Sequence, residues 1–396
     1  MALAASSSEL LADLRVSTNF ESGSASVVAI DTNTQTIRFQ PAGKAERGWQ
    51  NWWFLRVDGA DTRRPVNLEL EAVGKLSPAW AMPDRAAFST NGSVWTQTAL
   101  GERRDKIQIY RVSTPSPTFW LAWGPPFTAS DAAAFGQRLA AAHSSVKTFE
   151  LCKSLEGRSV PAWKIAEGAR PSGKRMGVWI VAREHAWESG GSWVARGIVE
   201  WLVGPDEHAR WLRENAEVFV VPVMDVDRVA TGDGGKGSSP RDHTFDWSEP
   251  PHYREVAAAQ QQIRSLLQEG RMNLLLDLHN PGARKDPEAE GLYLTPPNLL
   301  SAPVVKLQER FVSLLQEEFP KLTFTDEKPR SNDPVDVKRW HGITTSWLLD
   351  QGSTNTVGYT IETPWNTPQG TTEGYAKVGR RLGLVMEKYL RGLGQN

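Results

Sequence analysis

The stretch that most constrains this chain is an apolar run at residues 176–182, Met-Gly-Val-Trp-Ile-Val-Ala, broken at once by Arg183-Glu184-His185-Ala186-Trp187-Glu188. The run reads as a buried strand, and the polar residues behind it as a strand-to-helix turn. His185 and Glu188 stand three residues apart in that turn, so an imidazole nitrogen and a carboxylate can converge on one point. That pairing suits a zinc ion. Alone it is weak, because such pairs recur by chance as solvated helix neighbours. A second apolar run, Leu274-Leu-Leu-Asp-Leu-His279, ends in another histidine. Two histidines and a glutamate at the C-terminal ends of strands form a three-ligand set that leaves a fourth position open for water.

Around this stretch the pattern of the chain changes once. Up to about residue 125 apolar and polar residues alternate with period two, at 52–57, 66–73, 106–112 and 118–123, with turn residues between. Short strands with almost no helical period predict an antiparallel β-sandwich. A helix is expected from Ser130 to about His143, capped by Thr128 or Ser130. Beyond about residue 148, apolar runs at 160–165, 176–182, 218–223, 273–278 and 357–361 alternate with helical patterns near 189–203, 252–268, 298–317 and 372–391. That alternation predicts an α/β domain with a parallel or mixed sheet. The expected division is a sandwich domain over 1–127 and an α/β domain over 128–396. In such sheets ligands bind beyond the carboxyl ends of the strands, where His185, His279 and Glu362 all fall. Two Gly/Pro-rich segments, 231–240 and 280–297, are expected to be active-site loops.

Composition narrows the class. A net charge of -1 and 40% hydrophobic residues describe an ordinary globular protein, with no basic excess to argue for nucleic acid or an anionic membrane. The first residues lack the basic and apolar regions of a signal peptide, and no stretch approaches the roughly 20 apolar residues of a membrane span. The single cysteine, Cys152, excludes an internal disulfide and fits a reducing compartment, so the expected location is the cytoplasm. Seventeen tryptophans spread over both halves read as core and groove-lining residues.

Taken in order, Ala182-Arg-Glu-His-Ala-Trp-Glu188, Pro222-Val-Met-Asp-Val-Asp-Arg228, Asp277-Leu-His279 and Tyr359-Thr-Ile-Glu362-Thr-Pro-Trp365 resemble the zinc carboxypeptidases, in particular the cytosolic branch. Upstream, 52–57 and 122–131 resemble that branch's N-terminal sandwich. The resemblance covers nearly the whole chain. It implies a zinc-carboxypeptidase-like mixed-sheet domain behind an antiparallel sandwich, with zinc on His185, Glu188 and His279. It further implies Glu362 as general base and acid, Asp242 as the carboxylate orienting the first zinc histidine, and Lys236 as a cation near the oxyanion.

The chain also departs from that family. Just after Asp242 the family carries an Asn-Arg pair that clamps the substrate's terminal carboxylate, where this chain has Thr244 and Phe245. Phenylalanine cannot form the bidentate guanidinium–carboxylate pair that selects a free C-terminus. The family's tyrosine some twenty residues before the catalytic glutamate also lacks a match; Trp340 and His341 occupy that distance. Thr244, Phe245 and Arg183 are therefore the candidate substrate-binding residues, with Arg183, Arg254 or Lys236 as replacement cations. The expected activity is zinc-dependent hydrolysis of a peptide or amide bond with atypical recognition of the C-terminus. A deacylase or amidase acting on an acylated amino acid, and a non-catalytic binding protein, are the alternatives. Oligomeric state is not legible.

Overall fold

The computed structural model describes residues 13–73, 78–168, 175–282, 286 and 288–393. The first part folds as two five-stranded sheets. One runs in the order Arg15–Ser17, Phe54–Asp58, Phe119–Ala122, Ala87–Ser89, Thr96–Gln97; the other in the order Ser26–Asp31, Thr36–Gln40, Val66–Glu71, Ile107–Val112, Glu102–Arg104. Pairing is antiparallel except between Thr36–Gln40 and Val66–Glu71, which run parallel. Period-two alternation does the packing: Val66, Leu68 and Leu70 are buried while Asn67, Glu69 and Glu71 are not. The expected sandwich forms, with that one parallel pair added.

The second part is built on an eight-stranded mixed sheet. Its order is Val146–Lys153, Ser159–Ile165, Ala216–Val221, Met176–Ala182, Met272–His279, Val357–Glu362, Gly291–Leu294, Thr323–Asp326. The four central strands are parallel. Ser159–Ile165 on one side and Gly291–Leu294 on the other run antiparallel to them. At the edges Val146–Lys153 pairs antiparallel with Ser159–Ile165, and Thr323–Asp326 pairs parallel with Gly291–Leu294. Every residue of 177–182 is buried, as expected of a strand covered on both faces. The helix after the sandwich is Ala129–Ala142. Thr128 caps it, accepting from Asp131 N–H while the Asp131 carboxylate accepts from Thr128 N–H. The segment 280–297, expected to be a loop, contains the strand Gly291–Leu294, and its residues 283–285 and 287 lie outside those described. That strand is short and half-buried, and it is held by pairing against Val357–Glu362 rather than by any pattern of its own.

The two layers share a seam of tryptophans. Trp187, from the turn of His185 and Glu188, is fully buried in the sandwich's hydrophobic core. Its ring packs against Trp123 at 4.8 Å and Trp49 at 6.3 Å, and Trp123 stacks on Trp365 at 4.6 Å. Burying an aromatic side chain of this size is worth about 1.5–3 kcal/mol, so the sandwich anchors the turn that carries His185 and Glu188. No helix among the described residues is long and apolar enough to cross a membrane.

Candidate active site

Three strand ends meet at one point. Arg183 takes a left-handed conformation with φ 67°, turning the chain sharply as the strand Met176–Ala182 ends. Its guanidinium is sealed inside, donating to the carbonyls of Ala186 at 2.6 Å and Phe127 at 2.8 Å and lying over Trp52. Arg183 therefore braces the turn, and it does not line the cavity above it. The same turn brings His185 Nδ1 to 2.8 Å from Glu188 Oε1. On the neighbouring strand, His279 Nδ1 lies 2.7 Å from Glu188 Oε2. The register pairs His279 with Glu362 on the next strand.

His185, Glu188 and His279 thus offer two imidazole nitrogens and a carboxylate oxygen within 4.8 Å of one another, all buried. Burial would raise the Glu188 carboxyl, yet the two imidazoles hold it well below the usual carboxylate range. The donor set and its spacing fit a zinc ion of the open, three-ligand kind.

The far nitrogens of the two histidines have different neighbours. Thr244 Oγ1 lies 3.0 Å from His185 Nε2, while Asp242 Oδ2 lies at 3.7 Å and accepts instead from the Gly237 N–H at 2.8 Å. Asp242 is held down at about 2: burial opposes ionisation, but contact with His185 and the Gly237 amide outweigh it. Thr244 was expected to face substrate; it lines the cavity and also touches the first histidine. His279 Nε2 faces Asp277 Oδ1 at 3.2 Å and Glu184 Oε2 at 4.0 Å. Glu184 is pushed up to about 8 by burial and by Asp277. Neither acid was singled out from the sequence, although Asp277 interrupts an apolar run, the one local sign that a buried charge has a task.

A cavity of about 360 Å³ opens above these residues, and Glu362, Lys236, Asp242, Thr244 and Phe245 line it. Glu362 is 6% exposed and pushed up to about 8 by burial, with His279 pulling the other way. Lys236 Nζ lies 3.8 Å from Glu188 Oε1 and 5.5 Å from the Trp49 ring centre. Its loop packs so tightly that a Cβ on Gly235 would stand 2.6 Å from the Ala186 nitrogen. Gly235, at φ 81°, is required there on both counts. Phe245 faces the cavity too, and the guanidinium of Arg339 lies 3.9 Å over its ring. Arg254 does not line the cavity. Its guanidinium donates to the Ser154 carbonyl. His243 lies between Asp225 and Glu255 and stacks on Tyr253. Burial would lower it, but the two carboxylates hold it at about 9.

A family model described as zinc carboxypeptidase matches residues 133–232, and one described as cytosolic carboxypeptidase N-terminal domain matches residues 16–123. The chain carries a zinc carboxypeptidase domain behind a cytosolic carboxypeptidase N-terminal domain. An uncharacterized protein of Zymomonas mobilis is 24% identical to this chain over 68% of each. Cytosolic carboxypeptidase 2 of Xenopus tropicalis is 25% identical over 42% of the chain, a match spanning 17% of that relative's own length. The metallo-carboxypeptidase structure from Burkholderia cenocepacia superposes with a TM-score of 0.80 at 18% identity, covering 96% of this chain and 100% of that one. The mixed sheet and the preceding sandwich are therefore the metallocarboxypeptidase fold of that structure.

Proposed function

We propose that the chain is a zinc-dependent metallocarboxypeptidase in which a cation from another part of the chain replaces the family's carboxylate-clamping arginine. The observation that carries this reading is the convergence of His185 Nδ1, Glu188 and His279 Nδ1 below a cavity faced by Glu362 and Lys236. Zinc held by those three residues would supply a Lewis acid for the substrate carbonyl and for water. The Glu362 carboxylate takes the proton from the attacking water and returns it to the leaving nitrogen. The Lys236 ammonium faces the side on which negative charge develops on the carbonyl oxygen. Thr244 and Asp242 hold the imidazole of His185, and Asp277 that of His279, fixing the rings so that both Nδ1 atoms point inward.

Recognition of the C-terminus falls to Arg339. Its guanidinium stacks on Phe245, the residue standing where the resemblance expects arginine, and it also lines the cavity. Among the described residues no carboxylate lies within ion-pair distance of it. The fork that residue 245 lacks is thus supplied from a helix, Pro334–His341, packed against it. Of the three cations expected from the sequence, only Lys236 lines the cavity. The single cysteine and the relatives' name support a cytoplasmic setting and a peptide substrate.

The test is a comparison of free-acid and amidated peptides on the zinc-loaded chain. Free acids should be turned over and their amides should not. Arg339→Ala should lower kcat/KM for free acids by about 100-fold, the scale on which a lost charge-assisted pair acts. Equal turnover of acids and amides would favour the amidase alternative.

A further inference from the structure

We propose that the cavity selects a substrate whose terminal residue carries a cationic side chain, with Glu327 as the group that reads it. This rests on the hydrolase reading above and deepens it. Glu327 follows the edge strand Thr323–Asp326, and its N–H donates to the Leu294 carbonyl at 2.8 Å. Tyr293, the residue before Leu294, is registered against Thr360. Glu327 is thereby brought beside Thr360, whose hydroxyl donates to Glu327 Oε2 at 3.4 Å. Thr360 and Glu362 lie two apart on one strand and share a face, about 7 Å from each other. The Glu327 carboxylate therefore stands one such step from the general base, along the wall of the same cavity. A long side chain on the residue being released spans that distance.

The environment of Glu327 lacks a counter-charge. It is 5% exposed, and its contacts are the hydroxyls of Thr345, Ser346 and Thr360. Among the described residues no Lys, Arg or His forms an ion pair with it. The charged group that acts on it from the neighbouring strand is Asp277, of the same sign. Hydroxyls satisfy the lone pairs of a carboxylate but not its charge, and an uncompensated buried charge is costly. The mouth of the cavity carries both signs. Lys328, Arg330 and Arg339 line it with Asp326 and Asp336. Lys328 is paired with Asp326 at 2.8 Å, while Arg339 lies over Phe245 with no carboxylate at ion-pair distance among the described residues. Glu327 on the floor and the Arg339 guanidinium at the mouth match a terminal residue with a cationic side chain and a free α-carboxylate. A glutamate-ended or apolar-ended substrate would leave Glu327 uncompensated, which is discrimination by penalty.

The experiment compares blocked dipeptides ending in Arg, Lys, Phe and Glu on the zinc-loaded full chain, with calorimetry of free L-arginine and L-glutamate as a readout independent of turnover. Arg- or Lys-ended substrates should exceed Phe- and Glu-ended ones by about 30-fold or more in kcat/KM, and L-arginine should bind at least about tenfold tighter than L-glutamate. In Glu327→Gln both ratios should collapse to within about threefold. If Phe- or Glu-ended peptides are cleaved as well as Arg-ended ones and L-arginine has no advantage, the proposal falls while the hydrolase reading stands. If no peptide is cleaved yet L-arginine binds selectively through Glu327, the hydrolase reading falls and the proposal stands. No cleavage and no selectivity overturns both. Should the variant fail to fold, the parent's panel and calorimetry decide alone.

Discussion

The backbone N–H of Trp49 donates to the carbonyl of Lys236 at 3.0 Å, so a residue of the sandwich holds the loop that points a cation at the candidate metal centre. The attachment continues on either side. Gly235 N–H donates to Arg47, Ser239 N–H to Glu46, and the Asp233 carboxylate accepts from Lys44 N–H at 2.9 Å and Arg47 Nε at 2.5 Å. The Trp49 ring lies beneath the Lys236 ammonium. The sandwich is thus part of the site's frame. Trp49→Ala keeps the backbone bond but removes the ring, and the expected result is a fall in kcat of roughly tenfold, the loss of a partly desolvated cation–π contact. Zinc content measured on the same preparation should be unchanged, and a variant that loses metal in step with activity would place Trp49 in the frame of the metal site itself.

A second expectation concerns the three ligands. His279→Ala leaves one imidazole and one carboxylate, and elemental analysis should find the purified variant without stoichiometric zinc. Thr244→Val should have a milder effect. Losing the contact to His185 Nε2 frees the ring's orientation, and changes of this kind cost about 10- to 100-fold in metal affinity. Full zinc retention in His279→Ala would refute the ligand set.

Glu362→Gln keeps the side chain's shape and removes its capacity to accept a proton. Turnover should fall by about 10²- to 10⁴-fold with metal content unchanged. Activity within about threefold of the parent would put the base elsewhere, and Glu184, at 4.0 Å from His279 Nε2, would be the next to change.

What could be read from the sequence follows the parallel strands. Their apolar runs end abruptly in polar residues, so the positions of His185, His279 and Glu362 beyond the sheet were legible without coordinates. The convergence of His185 and Glu188 was legible because the two lie in one turn. Residues brought in from a distance were not. Glu327 and Arg339 sit in a polar stretch, Asp326-Glu-Lys-Pro-Arg-Ser-Asn-Asp333 and the helix behind it, that reads as a solvated loop. Pairing of Gly291–Leu294 against Val357–Glu362 is what folds that stretch over the cavity. The absence of arginine at position 245 was visible; the arginine stacked upon it was not, because nothing local links Phe245 to residue 339. Arg183 was misread in the other direction. A charge beside the ligand turn suggests a substrate contact, but the left-handed turn points it into the core.

The last expectation is a pH dependence of stability. Burial and the neighbouring Asp277 push Glu327 up to about 7 from an ordinary 4.5. A carboxyl whose folded value is raised contributes most when protonated. Its contribution is fully present below the unfolded value of about 4.5 and is lost as pH rises through about 7. Glu327→Gln mimics the protonated form at every pH. The variant should therefore match the parent's thermal stability near pH 4.5 and exceed it at pH 8, by on the order of 3 kcal/mol at most. Thermal or denaturant unfolding at the two pH values measures the difference. Free L-arginine added at pH 8 should narrow the gap, because it binds the folded parent and supplies the charge that the floor lacks. A variant less stable than the parent at pH 8 would mean that Glu327 is already compensated within the fold, and the case for a cationic substrate side chain would go with it.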